Sequence, residues 1–212
     1  MSKQFIGIIV AVVLGLGAIF WFNSDRSTKT TSENGGTQIS GHAKGEGQKN
    51  ITLTEYGDFQ CPACASYYPV VKSVVEKYQK DITFRFRNFP LVQIHPNAFA
   101  ASRAAEAAGL QGKFWEMHDL LYEQQTTWAS AGNPQSYFQS FASHLNLDIN
   151  KFNQDYASSA VNDIINGDLA EAKKVGADST PTFVLDGKKL DQNPEDQAAF
   201  EQLIEDAISA KQ

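Results

Sequence analysis

Apolar and polar positions divide the chain into three parts. Residues 5–22 form an uncharged apolar run of 18 residues. At a rise of about 1.5 Å per residue, that is just long enough to cross a hydrocarbon layer as a helix. Trp21 and Phe22 at its far end suit a membrane interface. Residues 23–49 are Ser, Thr, Asn, Gly, Gln and Lys with almost no hydrophobes. Such a composition forms no core and is expected to be a flexible linker, with His42 a solvated residue within it. From residue 50 to residue 212 the pattern is that of one folded domain.

In that domain Ile51, Leu53 and Glu55 alternate with Thr52, Thr54 and Tyr56, which predicts a strand ending at Gly57. Cys64, Tyr67, Val71, Val74, Val75 and Tyr78 then recur at helical spacing, with Pro62 at the first helical position and Pro69 expected to kink the helix. This spacing buries the face of Cys64 and exposes Cys61. Ile82, Phe84 and Phe86 alternate with Thr83, Arg85 and Arg87 as a second strand, parallel to the first across the helical crossover. An alanine-rich helix follows from Ala98 to Gly109, then one from Lys113 to Gln124. Further helices are expected over 134–145 and 149–175. Strand character returns at Thr182, Phe183, Val184 and Leu185, followed by an Asp186-Gly187 hairpin turn and a short strand from Lys188 to Leu190. A last helix, capped by Asn193 and Pro194, turns Phe200, Leu203, Ile204, Ala207 and Ile208 inward. The predicted class is α/β: β-α-β, a helical insertion over about 95–176, then β-β-α around a small mixed sheet.

Composition narrows the function. The net charge of −6 over 212 residues leaves no basic face for nucleic acid, and 42% hydrophobic residues suffice for a core. A cleaved signal peptide is the rival reading of residues 5–22. The run is long for that, and no small-x-small cleavage site follows, so an uncleaved signal anchor is preferred. Charge orients the run poorly, with Lys3 on one side and Arg26 and Lys29 on the other. The short N-terminal flank, together with a cysteine pair suited to where disulfides persist, leads to the expectation of a single-pass protein with its domain on the extracytoplasmic side of a cell membrane.

The only cysteines are Cys61 and Cys64, with Pro62 and Ala63 between them. At a helix N-terminus the first sulfur meets the positive end of the helix dipole, so its thiolate can attack or leave. The second lies one turn inward and can close an easily reduced disulfide. Zinc and an inert structural disulfide are the rivals, but there is no second Cys pair and the four histidines lack ligand spacing. No metal or cofactor is expected. Glu55 falls on the inward phase of its strand, six residues before Cys61. It reads either as a buried carboxylate that takes the proton of Cys64 or as a strand-end acid reaching water past Gly57. Asp58 reads as a turn residue and His95, before Pro96, as a helix cap. His118, Trp115 and Trp128 read as packing residues.

The stretches EYGDFQCPAC, RNFPL, HPNAFAASRAAEAAGLQGKFWEMHDLLYEQ and STPTFVLDGK, in this order, resemble the DsbA-like thiol-disulfide oxidoreductase family. The resemblance covers residue 51 to the C-terminus. It implies a thioredoxin fold with a helical insertion beside the active site, Cys61 as nucleophile and Cys64 as resolving thiol. It also implies a cis Thr180-Pro181 bond packed beside the pair, and an acid at the place of Glu55. The family's best-known member has Pro-His between its cysteines; alanine at position 63 supplies neither charge nor side-chain hydrogen bond, so a less extreme potential is expected. The implied activity is oxidation of exported protein thiols, with a membrane quinone-linked thiol oxidase as regenerating partner. The alternatives are a reductase or isomerase fed by a membrane electron donor, and a tethered peptide-binding chaperone with a structural Cys61–Cys64 bond.

Overall fold

The computed structural model describes residues 38–211. The apolar run at 5–22 and most of the polar stretch lie outside the described residues. Among the described residues no helix is long and apolar enough to cross a membrane.

The predicted β-α-β unit is present. Strand β2 (Ile51–Gly57) leads through helix α1 (Pro62–Lys77) to strand β3 (Ile82–Asn88), which pairs with β2 in parallel from Ile51↔Ile82 to Gly57↔Asn88. Helix α1 runs unbroken past Pro69. Strand β4 (Thr182–Leu185) pairs antiparallel with the other side of β2 and turns into β5 (Lys188–Lys189), one residue shorter than the pattern suggested. Asp186 and Gly187 both have positive φ, 49° and 82°, as a two-residue hairpin of this type requires.

Between β3 and β4 stand α2 (Ala98–Gly109), α3 (Phe114–Glu123), the short α4 (Gln125–Trp128), α5 (Gln135–His144), α6 (Ile149–Tyr156) and α7 (Ser159–Lys174). The single helix expected over 149–175 is therefore two. Ser158 breaks it, because its hydroxyl accepts from the Val161 N–H and caps a new helix. The last helix, α8 (Gln197–Ser209), is capped by Asp196 accepting from the Ala199 N–H, not by Asn193 and Pro194. Asn193 is used elsewhere: its amide donates to Pro181 O at 2.7 Å.

Apolar side chains pack on both faces of the sheet and within the insertion. Leu53, Phe84 and Phe183 meet Val71 and Val74 of α1 and Phe200 and Ile204 of α8. Tyr56 and Val184 meet Ala172 of α7 on the other face. The alanine-rich face of α2 packs with Phe114, Met117, Trp128 and Phe138, and both cysteines belong to this cluster.

The fold begins earlier than residue 50. Strand β1 (Ala43–Lys44) pairs antiparallel with β3 at the sheet edge, giving the order β1-β3-β2-β4-β5. His42 is not solvated: its ring stacks on Phe114 with 3.3 Å between centroids, and its Nε2 lies 2.9 Å from both Glu106 carboxylate oxygens. The Ser40 N–H donates to Asp168 at 2.9 Å, and the Arg87 guanidinium donates to Ser40 O. Buried Glu106, Asp168 and Arg87 need partners inside the protein, and residues 40–42 supply them. A compositional reading of a polar stretch does not see partners that far away.

Candidate active site

Cys61 is the N-cap of α1 with extended backbone angles, and Pro62 opens the first turn, where its missing N–H leaves no helical bond unmade. Pro62 and Ala63 are exposed, while Cys64, one turn in, is completely buried. Cys61 itself is only 7% exposed, which corrects the expectation of an open sulfur. The residues flanking the cis Thr180-Pro181 bond approach it, and the Cys61 thiol donates to Thr180 O at 3.5 Å. Both cysteines are free thiols here.

The two sulfurs are electrostatically unlike. A hydrogen bond from the Cys64 thiol, working against burial and aided by Thr180 and by the Cys64 and Ala63 backbone N–H groups, draws the Cys61 thiol down to about 5. Burial, and then the hydrogen bond it gives to Cys61, push the Cys64 thiol well above its ordinary value. With Ala63 in place of a charged or hydrogen-bonding residue, the first helical turn and the partner thiol carry the stabilisation.

Behind the pair, Glu55 is held in register between Phe86 of β3 and Phe183 of β4, 3% exposed. It does not reach water past Gly57. Its Oε1 has no hydrogen-bond partner among the described residues. Burial, and secondarily the Cys61 charge, push its carboxyl up to about 8. Position 57 has no room for a side chain: a Cβ there would stand 2.9 Å from Tyr122 Oη and 2.5 Å from Phe86 Cε2.

Several residues at the site were not legible as such. Asp58 is completely buried, and its carboxylate accepts from the Gln60 and Leu91 N–H groups at 2.7 and 2.9 Å. His95 Nδ1 lies 2.7 Å from the same carboxylate, so His95 is Asp58's partner rather than a helix cap. The Asp58 N–H points at Cys64 Sγ, 3.5 Å away. Gln125 of α4 donates to Phe59 O at 2.8 Å and to Cys61 O at 3.0 Å, tying the insertion to the active-site turn. An acid three residues before a Cys-x-x-Cys was the one available signal. As expected, His118 and Trp128 are buried. Among the described residues no three His, Cys, Asp or Glu gather as a metal-ligand set.

One consequence is measurable directly. At pH 6 about nine-tenths of Cys61 is thiolate, while Cys64, pushed well above its ordinary value by burial, stays protonated. Ionisation and the full burial of Cys64 therefore act together, and labelling of Cys61 is expected to be on the order of tenfold faster or more. Peptide mapping after brief alkylation of the reduced protein checks this; equal labelling would reverse the assignment of nucleophile.

Comparison with known proteins agrees with this picture. Residues 37–206 match the family model described as thioredoxin. A part of the chain is 34% identical over 168 residues to Na(+)/H(+) antiporter NhaA 1 of Mycolicibacterium gilvum, which covers 77% of this chain and 26% of that protein. Against the NhaA 1 of Salinispora arenicola it is 36% identical over 148 residues, 70% of this chain and 22% of that one. The chain thus spans about a quarter of the length of the curated relatives it matches. Among solved structures, oxidised BdbD from Bacillus subtilis aligns with a TM-score of 0.68 at 20% identity, over 79% of this chain and 92% of that one. The α-DsbA1 of Wolbachia pipientis aligns with a TM-score of 0.69 at 21% identity, over 80% and 91%. At these identities the likeness is one of fold: a thioredoxin-like α/β domain with a helical insertion.

Proposed function

The chain belongs to the thioredoxin family, and on that premise we propose that it is a protein thiol-disulfide oxidoreductase working through Cys61 and Cys64. The carrying observation is the placing of two free thiols in one helical turn, Cys61 at the N-cap against Thr180 O and Cys64 completely buried behind it; the split in acidity agrees with it. In the oxidised protein a substrate thiolate attacks Cys61 Sγ and Cys64 leaves. A second substrate thiolate then attacks the substrate sulfur of the mixed disulfide and releases Cys61 as thiolate. The substrate gains a disulfide, and the protein keeps two electrons as its dithiol. A stabilised Cys61 thiolate favours this second release, which supports the direction of an oxidase acting on exported protein thiols.

In this reading residues 5–22 anchor the domain on the extracytoplasmic side, and a membrane quinone-linked thiol oxidase takes the two electrons away. The likeness to part of named Na(+)/H(+) antiporters supports work beside a membrane. Equilibration of the Cys61/Cys64 pair with glutathione redox buffers tests the direction. A potential near or above about −180 mV is expected; a value near about −270 mV would make the protein a reductase.

A further inference from the structure

A cavity of about 40 Å³ reaches Glu55 from a side that includes neither cysteine nor Pro181. Its inner wall carries Glu55 and His118, and its outer part Lys44, Lys72, Asp119 and Trp115. Two of the buried polar atoms without a partner among the described residues belong to these inner groups: Glu55 Oε1 and His118 Nε2. The volume admits at least one water, and two unmet polar atoms are the partners such a water needs. His118 Nδ1 lies 2.9 Å from Asp119 Oδ1, so with the Nδ1–H donated there, Nε2 is left as the acceptor. Asp119 is in turn held by the Lys72 ammonium at 2.9 Å, and these two are the partly exposed groups, 21% and 36%.

We propose that this cavity is the proton route of the buried thiol, with His118 and Asp119 as positioning residues that hold water between Glu55 and solvent. The proposal rests on the thiol-disulfide reading above. When a thiolate attacks Cys61 Sγ, a new S–S bond forms, the Cys61–Cys64 bond breaks, and Cys64 leaves with the electron pair. The protonated Glu55 carboxyl gives its proton to the Cys64 thiolate. The carboxylate is then reprotonated by cavity water, which His118–Asp119 orient and which exchanges its proton with solvent at the Lys72 end. Reversal of the cycle returns the proton the same way.

The acidities fit this direction. Glu55 holds its proton to about 8, and Cys64 is the stronger base once released. Burial lowers His118 below its ordinary value, so it stays neutral and free to accept. Against burial, which raises it, hydrogen bonds from His118 and Lys72 bring Asp119 down to about 2, so it stays ionised. The remaining charged or titratable neighbours are Lys44 of β1, Tyr68 and Glu76 of α1, Glu123 of α3 beside Lys72 and Tyr68, and Tyr122 of α3, whose buried hydroxyl stays protonated.

The test mixes oxidised full-length protein with dithiothreitol and follows reduction by tryptophan fluorescence across pH, in H₂O and D₂O. His118→Gln and Asp119→Asn are expected to slow reduction several-fold, with a larger solvent isotope effect and an altered pH profile. Imidazole should restore the rate of His118→Ala, and Asp119→Asn keeps the experiment decisive if His118 variants fail to fold. Wild-type rates, isotope effects and pH profiles in both His118→Gln and Asp119→Asn, with normal exchange by the unsubstituted protein, overturn the proton route alone. Failure of the unsubstituted protein to exchange overturns the parent reading and this one together.

Discussion

Replacing Cys61 with Ser is expected to bring disulfide transfer down to the rate measured without protein, whereas Cys64→Ser, which has no internal disulfide to donate, should still attack a disulfide-bonded substrate through its Cys61 thiolate and stop at the mixed disulfide. The difference follows from geometry. Cys61 alone retains surface, against Thr180, and serine there can form no disulfide. Without Cys64, a mixed disulfide on Cys61 loses its resolving thiol and accumulates, visible as a ladder on non-reducing gels. Cys61→Ser/Cys64→Ser must remove that ladder. Full activity in Cys61→Ser would leave the pair a structural bond and favour the peptide-binding alternative. Trapping by Cys61→Ser instead of Cys64→Ser would exchange the two roles.

The second large effect concerns Glu55→Gln in the reduced protein. Burial raises the folded carboxyl from 4.5 to about 8. Below 4.5 both folded and unfolded chains hold this proton; between 4.5 and 8 only the unfolded chain releases it, so wild-type stability falls as pH rises through that window. At about 1.4 kcal/mol per unit the loss is of order 4 kcal/mol by pH 8. Cys61 acts oppositely. Its folded value lies below the unfolded one, so its contribution is full above about 9, grows with pH from about 5, and is lost as pH falls through about 5. Discounted for solvent near its sulfur, it is worth about 1–2 kcal/mol at neutral pH. Wild type therefore carries two opposed slopes, and Glu55→Gln keeps only the rising one. Urea melts of the reduced proteins at pH 4.5 and 8 should show the variant gaining on wild type by about 4 kcal/mol. A constant offset at both pH values would mean that Glu55 is ionised throughout.

The β-α-β frame was legible because period-two and helical patterns there agree with the burial they cause: Leu53 and Glu55 do face one way, and Cys64 does turn inward. The Cys-x-x-Cys motif located the site, and Thr-Pro before β4 located its second edge. What escaped was carried by long-range polar contacts. Asp58 resembles any turn residue until Leu91 and His95, 33 and 37 positions away, fold onto it. His42 resembles a linker residue until Glu106 and Phe114 enclose it. The low exposure of Cys61 has the same origin, since Thr180 lies 119 residues along the chain. Helix boundaries failed where two capping candidates competed, Asn193 against Asp196, and where Ser158 divided a continuous periodic pattern.

The two outermost strands of the 5-stranded sheet, β1 and β5, are only two residues long, and each carries lysine: Lys44 in one, Lys188 and Lys189 in the other. Long flat edges recruit foreign strands; short, charged ones repel them. On the proposed reading the substrates are unfolded chains with strand-seeking segments, and neither of these two short borders offers them a template. On that reading extended polypeptide is steered away from adventitious zippering and toward the backbone at Thr180, whose carbonyl accepts from the Cys61 thiol.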